Sequence, residues 1–532
     1  MSEVIVIGNG LAGLSASLEA VKGKAHVTLV SLQDSERSQS VLAAGGTNAA
    51  LDNKGQHDST LEHYQDTMNA GCDLADPKAV EQLTSMAPKV IEWLAEIGVA
   101  FDRTPDGAID QRYFGGQKKM RTTFSKSGIG KQLIAALSLE KEKNICNGSI
   151  IEMTGYEFHS LIMSEDGSAL GCRIKDINSG EMKKLRAEGV IIATGGINGL
   201  FAKTTGSVTN TGMTSSKLFK QGALFGNLEM IQYHPTTVET EDKSLLISEA
   251  GRGEGGRLFV YRDDQKWYFM EERYPEVGNL APRDVVSFEE YKVSTMEKQG
   301  QVYLDMTHLD RETIDGKLKE IKDLCKTYLD IDISKAPVPV APGIHYFMGG
   351  ILTDREHRTS IPRVFAAGEC ACIYHGANRL GGNSTLGALA GGIIAGRNAC
   401  KLESTGDIAI KEFADEKEIC EHEKKMIRDI LGASMPVLRN EDQMNEGMAE
   451  LVRLEKTINS KHEDDCTLKL AEAVVISGIE RKESRGAHRR ADYPERSNDF
   501  TNTTVSYIEN GDVKVKRMPV DTVFDWGFKN ER

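Results

Sequence analysis

The chain has 532 residues, 39% hydrophobic and 27% charged, with a formal net charge of -14; that is long enough for two or three domains with sizeable cores and ordinary for a soluble globular protein. The acidic balance argues against nucleic acid as a partner, because phosphate binding needs a concentrated basic surface, yet it leaves room for a small anion in a locally positive pocket. No stretch approaches the roughly 18 uninterrupted apolar residues of a membrane span, MSE runs straight into VIVIG with no signal-type region, and the nine cysteines are scattered without zinc or iron–sulfur spacing. The expected compartment is the cytoplasm, no metal site is expected, and any electrons must be carried by an organic cofactor.

Residues 4–31 read as strand, glycine turn, helix and strand, with Gly8, Gly10 and Gly13 forming GxGxxG directly after the strand. The first two glycines let backbone approach a pyrophosphate, and the helix start, with Leu11 and Ala12 in its first turn, offers N–H groups to it. The second strand ends at Ser31, where an NAD site carries an acid for the ribose, so NAD is disfavoured. Residues 37–51 are small and glycine-rich, a backbone that can lie against a flat ligand, and 58–98 read as scaffold helix with Trp93, Leu94 and Ile97 at core spacing.

A glycine-punctuated loop at 114–133 leads into another helix. Residues 146–194 alternate as in a small sheet and end in a buried strand running through Ala193 to Thr194, Gly195 and Gly196, a second approach to the same dinucleotide. LEMIQYHPT then brings out His234. From 235 to 345 the texture turns to charge, short strands and loops, as in an inserted domain. Arg252 and Arg283 lie there with acids nearby, Glu249 or Glu254 for the first and Asp284 for the second, that could orient them. FAAGE closes a buried strand on Glu369, which could bond a polyol or cap the next helix. In 375–396 a single arginine, Arg379, sits among glycines, where a cofactor and a small anion can both approach backbone. Residues 399–482 read as helical, with an acidic run at 416–431, and Asn510-Gly511 marks a hairpin.

Seven of these stretches, QYHPT, SEAGRGEGG, APRDVVS, HYFMGGI, FAAGE, HGANRLGGNS and ESRGAHRRADYPER, occur in an order that resembles the flavoprotein subunits of fumarate reductase and succinate dehydrogenase, with L-aspartate oxidase as nearest cousin. The resemblance runs over about residues 3–505. It implies an α/β architecture: a Rossmann-like FAD-binding domain over 1–234 and 346–400, an inserted α+β capping domain over 235–345, a C-terminal helical domain over 401–500 and a tail over 501–532. FAD would have Gly8, Gly10 and Gly13 at its pyrophosphate, with Ser31 at a position where the family also carries serine. The FAD segment would continue through Ser38, Gln39, Ser40, Ala44, Gly45 and Gly46, joined by Ala193, Thr194 and Gly195. Gly368, Glu369, Arg379, Ser384 and Thr385 would meet its ribityl and isoalloxazine region.

The same resemblance implies a C4 dicarboxylate clamped by His234, Ser248, His345 and Arg379, a proton delivered by Arg283, and a relay through Glu249 and Arg252. The implied activity is reduction of fumarate to succinate, beside an iron–sulfur partner subunit that would also mediate any association with a membrane. L-aspartate oxidase, a reductase of another 2-enoate and a non-catalytic electron-transfer subunit are competing readings. The FGGQKKMRTTF loop sides with the dicarboxylate reductases, and intact Arg283, His234, His345 and Arg379 side with a working enzyme. Three positions depart from the family pattern. Gln39 replaces the histidine that links covalently to FAD, which implies a dissociable flavin and tilts the direction toward alkene reduction. Met213 replaces an aspartate near the FAD, and Gly387 replaces an acid.

Overall fold

A computed structural model describes residues 2–523 apart from 127, 208, 241–243, 405–409, 412–418 and 461–465. Five parallel strands form the central sheet in the order Val364–Ala366, Gly189–Ile192, Glu3–Ile7, His26–Ser31, Ile150–Thr154. The unbroken apolar run VIVI follows from burial on both faces. Val4 and Val6 enter the core shared with the Leu11–Lys22 and Asn383–Ala399 helices, whereas Ile5 and Ile7 enter the core under an antiparallel sheet of Tyr156–Ser164, Ala169–Asp176 and Met182–Arg186. The two helices approach closely because their facing positions are small. A Cβ on Gly392 would lie 2.3 Å from the Ala12 carbonyl oxygen, and one on Gly396 would lie 2.3 Å from that of Ala16.

A second sheet, of six strands, runs Ser244–Leu246, Ile231–Glu239, Val338–Phe347, Val302–Asp305, Arg257–Arg262, Gln265–Trp267 over a core that includes Leu258, Val260, Val286, Leu304 and Val338. The Arg283–Tyr291 helix lies on its two longest strands. The boundaries expected at 234/235 and 345/346 fall within those strands, which therefore carry His234 and His345. Their register shifts after Gln232 and again after His234, irregularities of the kind that re-aim side chains next to a site.

Helices Glu421–Ser434, Glu441–Ser460 and Cys466–Glu480 follow. The acidic run at 416–431 supplies the first of them, its residues 416–418 lying outside the described ones. Within the span expected to be helical, Ile410–Lys411 instead pairs with Ser164 and Met163 as an edge strand. An open sheet edge offers its backbone partners, and such pairing overrides a weak helical preference. The hairpin on Asn510 and Gly511 is formed, and its strands Asn502–Glu509 and Asp512–Pro519 join a sheet with Phe225–Gly226, Gly350–Leu352 and Ala371–Cys372; residues 524–532 lie outside the described part. Among the described residues no helix is long and apolar enough to cross a membrane.

Candidate active site

Gly8 ends the first strand at φ 107°, and a Cβ there would lie 2.3 Å from the Ala193 carbonyl oxygen, so only glycine lets the two strand ends meet. A cleft opens at these ends, where open α/β sheets bind ligands. Gly8, Gly10, Leu11, Ala12, Ser31, residues 38–40 and 42–46, Ala193, Thr194, Gly195, Gly368, Glu369, Arg379, Ser384 and Thr385 line it. Gly13 does not reach the cleft: a Cβ there would lie 1.8 Å from the Gly8 carbonyl oxygen, so its part is to let strand and helix touch.

The polar atoms of the cleft fit a dinucleotide. Ser31 Oγ accepts from Asn9 Nδ2 at 3.0 Å, which leaves its own proton to donate. Ser40 Oγ accepts from Leu11 N at 3.1 Å where the helix begins. Ser38 Oγ, Gln39 Oε1 and Asn210 Nδ2 are buried with no hydrogen-bond partner among the described residues, and all three residues line the cleft. Buried polar atoms left unpaired beside a glycine cradle suit a large polar cofactor that satisfies them. Glu369 Oε1 accepts from Phe347 N at 3.1 Å, and burial pushes this carboxyl up to about 7. Met213 lines the cleft behind left-handed Gly212 and takes the Cys466 thiol on its sulfur at 3.7 Å. Gly387, in contrast, faces the ring of His375 and not the cleft.

At the cap side of the cleft stand His234, Ser248, Glu249, Arg283, His345 and Arg379. The His234 and His345 ring centroids are 5.0 Å apart. His234 Nδ1 accepts from Thr236 N at 3.2 Å, which puts its proton on Nε2. His345 Nδ1 meets Thr205 Oγ1 at 2.7 Å. Both rings are held well below their ordinary range, first by burial and then by Arg283 and other nearby cations, so they are neutral. Ser248 Oγ accepts from Ala250 N at 3.3 Å and keeps its proton to donate.

Gln232 was not singled out in the sequence, yet it joins the two arginines. Its Oε1 accepts from Arg283 Nη1 at 3.1 Å and from Arg379 Nη2 at 3.0 Å, while its Nε2 donates to the Arg379 carbonyl at 2.9 Å. Its position two residues before His234 on the same strand is the signal that could have found it. Arg379 also lies 4.2 Å over the Tyr346 ring. Burial, then the Arg283 charge, brings this guanidinium down to about 9.

Behind the pocket the residues expected to form a relay are joined in a chain. Glu249 Oε2 accepts from Arg283 Nε at 2.9 Å, and Glu249 Oε1 accepts from Arg252 Nη2 at 3.0 Å and from Gly115 N at 3.1 Å. A Cβ on Gly115 would lie 2.5 Å from that carboxylate oxygen, so the 114–124 loop closes on Glu249 only through glycine. Burial raises the Glu249 carboxyl, but the two arginines outweigh it and hold it below the ordinary range. Arg252 does not line the cleft; its Nη1 donates to the Asn279 carbonyl at 2.6 Å. The other acids considered as orienting partners do not serve. Asp284 instead takes Asn378 Nδ2 and Arg489 Nη2, both at 2.9 Å, because adjacent residues on a helix point apart. Glu254 pairs with Lys317 at 2.8 Å.

Residues 3–385 match a family model described as an FAD binding domain, and residues 461–526 match one described as the fumarate reductase flavoprotein C-term. The chain is 37% identical to the succinate dehydrogenase flavoprotein subunit of Bacillus subtilis (strain 168), covering 94% of this chain and 92% of the relative. It is 32% identical to the fumarate reductase flavoprotein subunit of Mycobacterium tuberculosis (strain ATCC 25618 / H37Rv), covering 98% and 97%. Among solved structures, a variant of E. coli quinol fumarate reductase FrdA superposes with a TM-score of 0.88 at 27% identity, covering 98% of this chain and 97% of that one. Adenylylsulfate reductase from Archaeoglobus fulgidus, at 18% identity and TM-score 0.74 over 97% of this chain and 95% of that one, shares the fold alone. The chain belongs to the succinate dehydrogenase and fumarate reductase flavoprotein family, FAD-dependent oxidoreductases acting on CH–CH bonds.

Proposed function

We propose that the chain reduces fumarate to succinate as the catalytic flavoprotein of a complex with an iron–sulfur subunit, through which any membrane association arises. The observation that carries this reading is charge. Three buried guanidinium groups, Arg252, Arg283 and Arg379, are answered among the described residues by one carboxylate in contact, Glu249, beside two neutral histidines. The buried excess of two positive charges is the complement of a dicarboxylate.

FAD, when bound, supplies the hydride for one alkene carbon. Gly8, Gly10 and the helix start would hold its pyrophosphate, and Ser31, Glu369, Ser384 and Thr385 its sugar and ring ends. Arg379, His234, His345 and Ser248 would donate to the two substrate carboxylates and stabilise the charge that develops there, single donors of this kind contributing about 3 kcal/mol. Arg283 gives the proton to the second carbon. A guanidinium is a weak acid, so the step needs a route that returns the proton, and Glu249 and Arg252 would supply it from the half-exposed turn at Asn279. The cap closes over the cleft, excludes water and brings Arg283 into reach.

The purified chain should turn over fumarate with reduced viologen and release no peroxide on L-aspartate; a preparation that carries FAD and is inert toward fumarate overturns the reading. Gln39 makes the flavin dissociable, so acid precipitation should leave the yellow colour in the supernatant. Colour that stays in the pellet shows a covalent bond elsewhere in the chain.

A further inference from the structure

His234 and His345 both line the cleft, and each has its Nδ1 already engaged, which leaves Nε2 for a ligand. The two engagements differ in kind. His234 Nδ1 accepts from the Thr236 backbone N–H at 3.2 Å, and an amide N–H can only donate, so this ring has its proton on Nε2 whatever the cleft contains. The Thr236 hydroxyl takes no part in that choice, because it donates to the Ile247 carbonyl at 2.8 Å. His345 Nδ1 instead lies 2.7 Å from Thr205 Oγ1, and a hydroxyl can donate to a bare ring nitrogen or accept from a protonated one.

Thr205 is held in place for this contact. Its backbone N–H donates to the Ile344 carbonyl at 2.9 Å, Thr204 pairs with Ile344 as a parallel bridge, and Thr204 Oγ1 accepts from Gly206 N at 3.1 Å. The hydroxyl is therefore anchored to the residue just before His345. Thr205 is 7% exposed and lines the cleft. Among the described residues its Oγ1 has His345 Nδ1 as its one hydrogen-bond contact, so its proton is committed nowhere else.

The His345 ring is neutral, held well below its ordinary range by burial and then by Arg283 and Arg379, and a neutral imidazole has a single N–H. With that proton on Nε2 the ring donates to a carboxylate; with it on Nδ1 the ring turns a lone pair toward the anion, which repels it. We propose that Thr205 is a positioning residue that selects the donor tautomer of His345, by giving its hydroxyl proton to Nδ1 when a dicarboxylate occupies the cleft; this rests on the proposed fumarate reduction. A backbone carbonyl or a carboxylate in place of Thr205 could only accept, and would hold the proton on Nδ1. Thr205 acts through His345. The bond it supports is made in the substrate complex and in the transition state alike, so its loss is read in binding more than in turnover.

The test compares the wild-type holoenzyme with Thr205→Val, which nearly keeps the shape and removes the hydroxyl, and with Thr205→Ser, which keeps the hydroxyl. In viologen-driven fumarate reduction Thr205→Val should raise KM about tenfold, and weaken succinate in equilibrium titration by a similar factor, with kcat within about threefold and flavin content unchanged. Thr205→Ser should bring KM back to within about twofold of wild type. Nitrogen NMR of histidine-labelled protein with succinate bound, the His345 signals being identified by their loss in His345→Gln, should find the His345 proton on Nε2 in wild type and Thr205→Ser and partly on Nδ1 in Thr205→Val. If Thr205→Val does not fold, Thr205→Ala is read in its place by the same criteria. Wild-type KM and succinate affinity in Thr205→Val, a Thr205→Ser no better than Thr205→Val, or a wild-type succinate complex with the His345 proton on Nδ1 overturns this inference alone. A wild type that carries FAD and is inert toward fumarate overturns the functional reading and this inference together.

Discussion

Two buried arginine clusters among the described residues differ in how their charge is answered. In the C-terminal cluster Arg481 meets Glu229 at 2.6 Å and Glu483 at 3.1 Å, Arg485 meets Glu483 at 2.7 Å, and Arg490 meets Asp492 at 2.6 Å and Glu441 at 3.6 Å. Arg439 donates to the Glu229 carbonyl at 2.7 Å. Four guanidinium groups there face four carboxylates. In and behind the cleft, Arg252 and Arg283 share Glu249, and Arg379 makes no ion pair among the described residues. Burial depresses an arginine in each, Arg439 to about 10 and Arg379 to about 9, so a depressed guanidinium does not by itself mark a binding site. The unanswered charge is what carries the proposal: the balanced cluster ties chain segments to one another, and the unbalanced one is where we propose that a dicarboxylate binds.

The largest effect should come from Arg283→Lys, which keeps the charge and removes the two-nitrogen contact with Glu249. It should lower kcat by about 10³-fold, as loss of a transition-state donor does, while flavin content and dicarboxylate affinity in equilibrium titration change little. Near wild-type turnover would remove Arg283 as the proton donor. Glu229→Gln takes one carboxylate from the balanced cluster and leaves Arg481 with Glu483, at a cost of about 1–3 kcal/mol; the melting temperature should drop while kcat per bound flavin holds. An unchanged melt would mean that the cluster holds nothing together. Gln232→Leu takes the shared acceptor from Arg283 and Arg379 and should raise KM about tenfold, or about 1.4 kcal/mol. Kinetics with an unchanged KM would show that the two arginines need no bridge.

The smallest effect is in pH. Arg379, brought to about 9 by burial and then by Arg283, is a cation below that value and loses its charge as pH rises through it. In the free enzyme kcat/KM should therefore fall above about pH 9, while kcat persists to higher pH because the bound dianion keeps the proton on. Parallel loss of both parameters would place the titration elsewhere.

Residues whose chemistry depends on their immediate neighbours in the chain were legible in the sequence. Gly8 and Gly10 sit between a strand and a helix, where glycine has few other uses, and Arg379 is a lone cation among glycines. Residues defined by distant partners were not. Gln232 is an uncharged amide until the 375–384 loop folds over it. Asp284 adjoins Arg283 in sequence, but helical geometry turns it to Arg489, more than two hundred residues away in the chain. Glu290 follows Glu289, and such a pair reads as a solvated helix face; the folded chain gives Glu289 to Arg273 and Tyr274, and Glu290 has no hydrogen-bond partner among the described residues. Ile410 could not announce a strand because the edge it joins is formed by residues near 164.

The contact of Gly392 with Ala12 and of Gly396 with Ala16 has a consequence for how this sequence can drift. The helix starting at Asn383 presents Ser384 and Thr385 to the cleft from its first turn, and it is seated by those two glycines near its other end. Even a methyl at either position must lift the rod, and the lift travels about 12 Å from Gly392, or about 18 Å from Gly396, along it to Ser384 and the loop holding Arg379. In a survey of inactive variants, alanine at 392 or 396 would be scored as a flavin-binding defect, although neither residue lines the cleft.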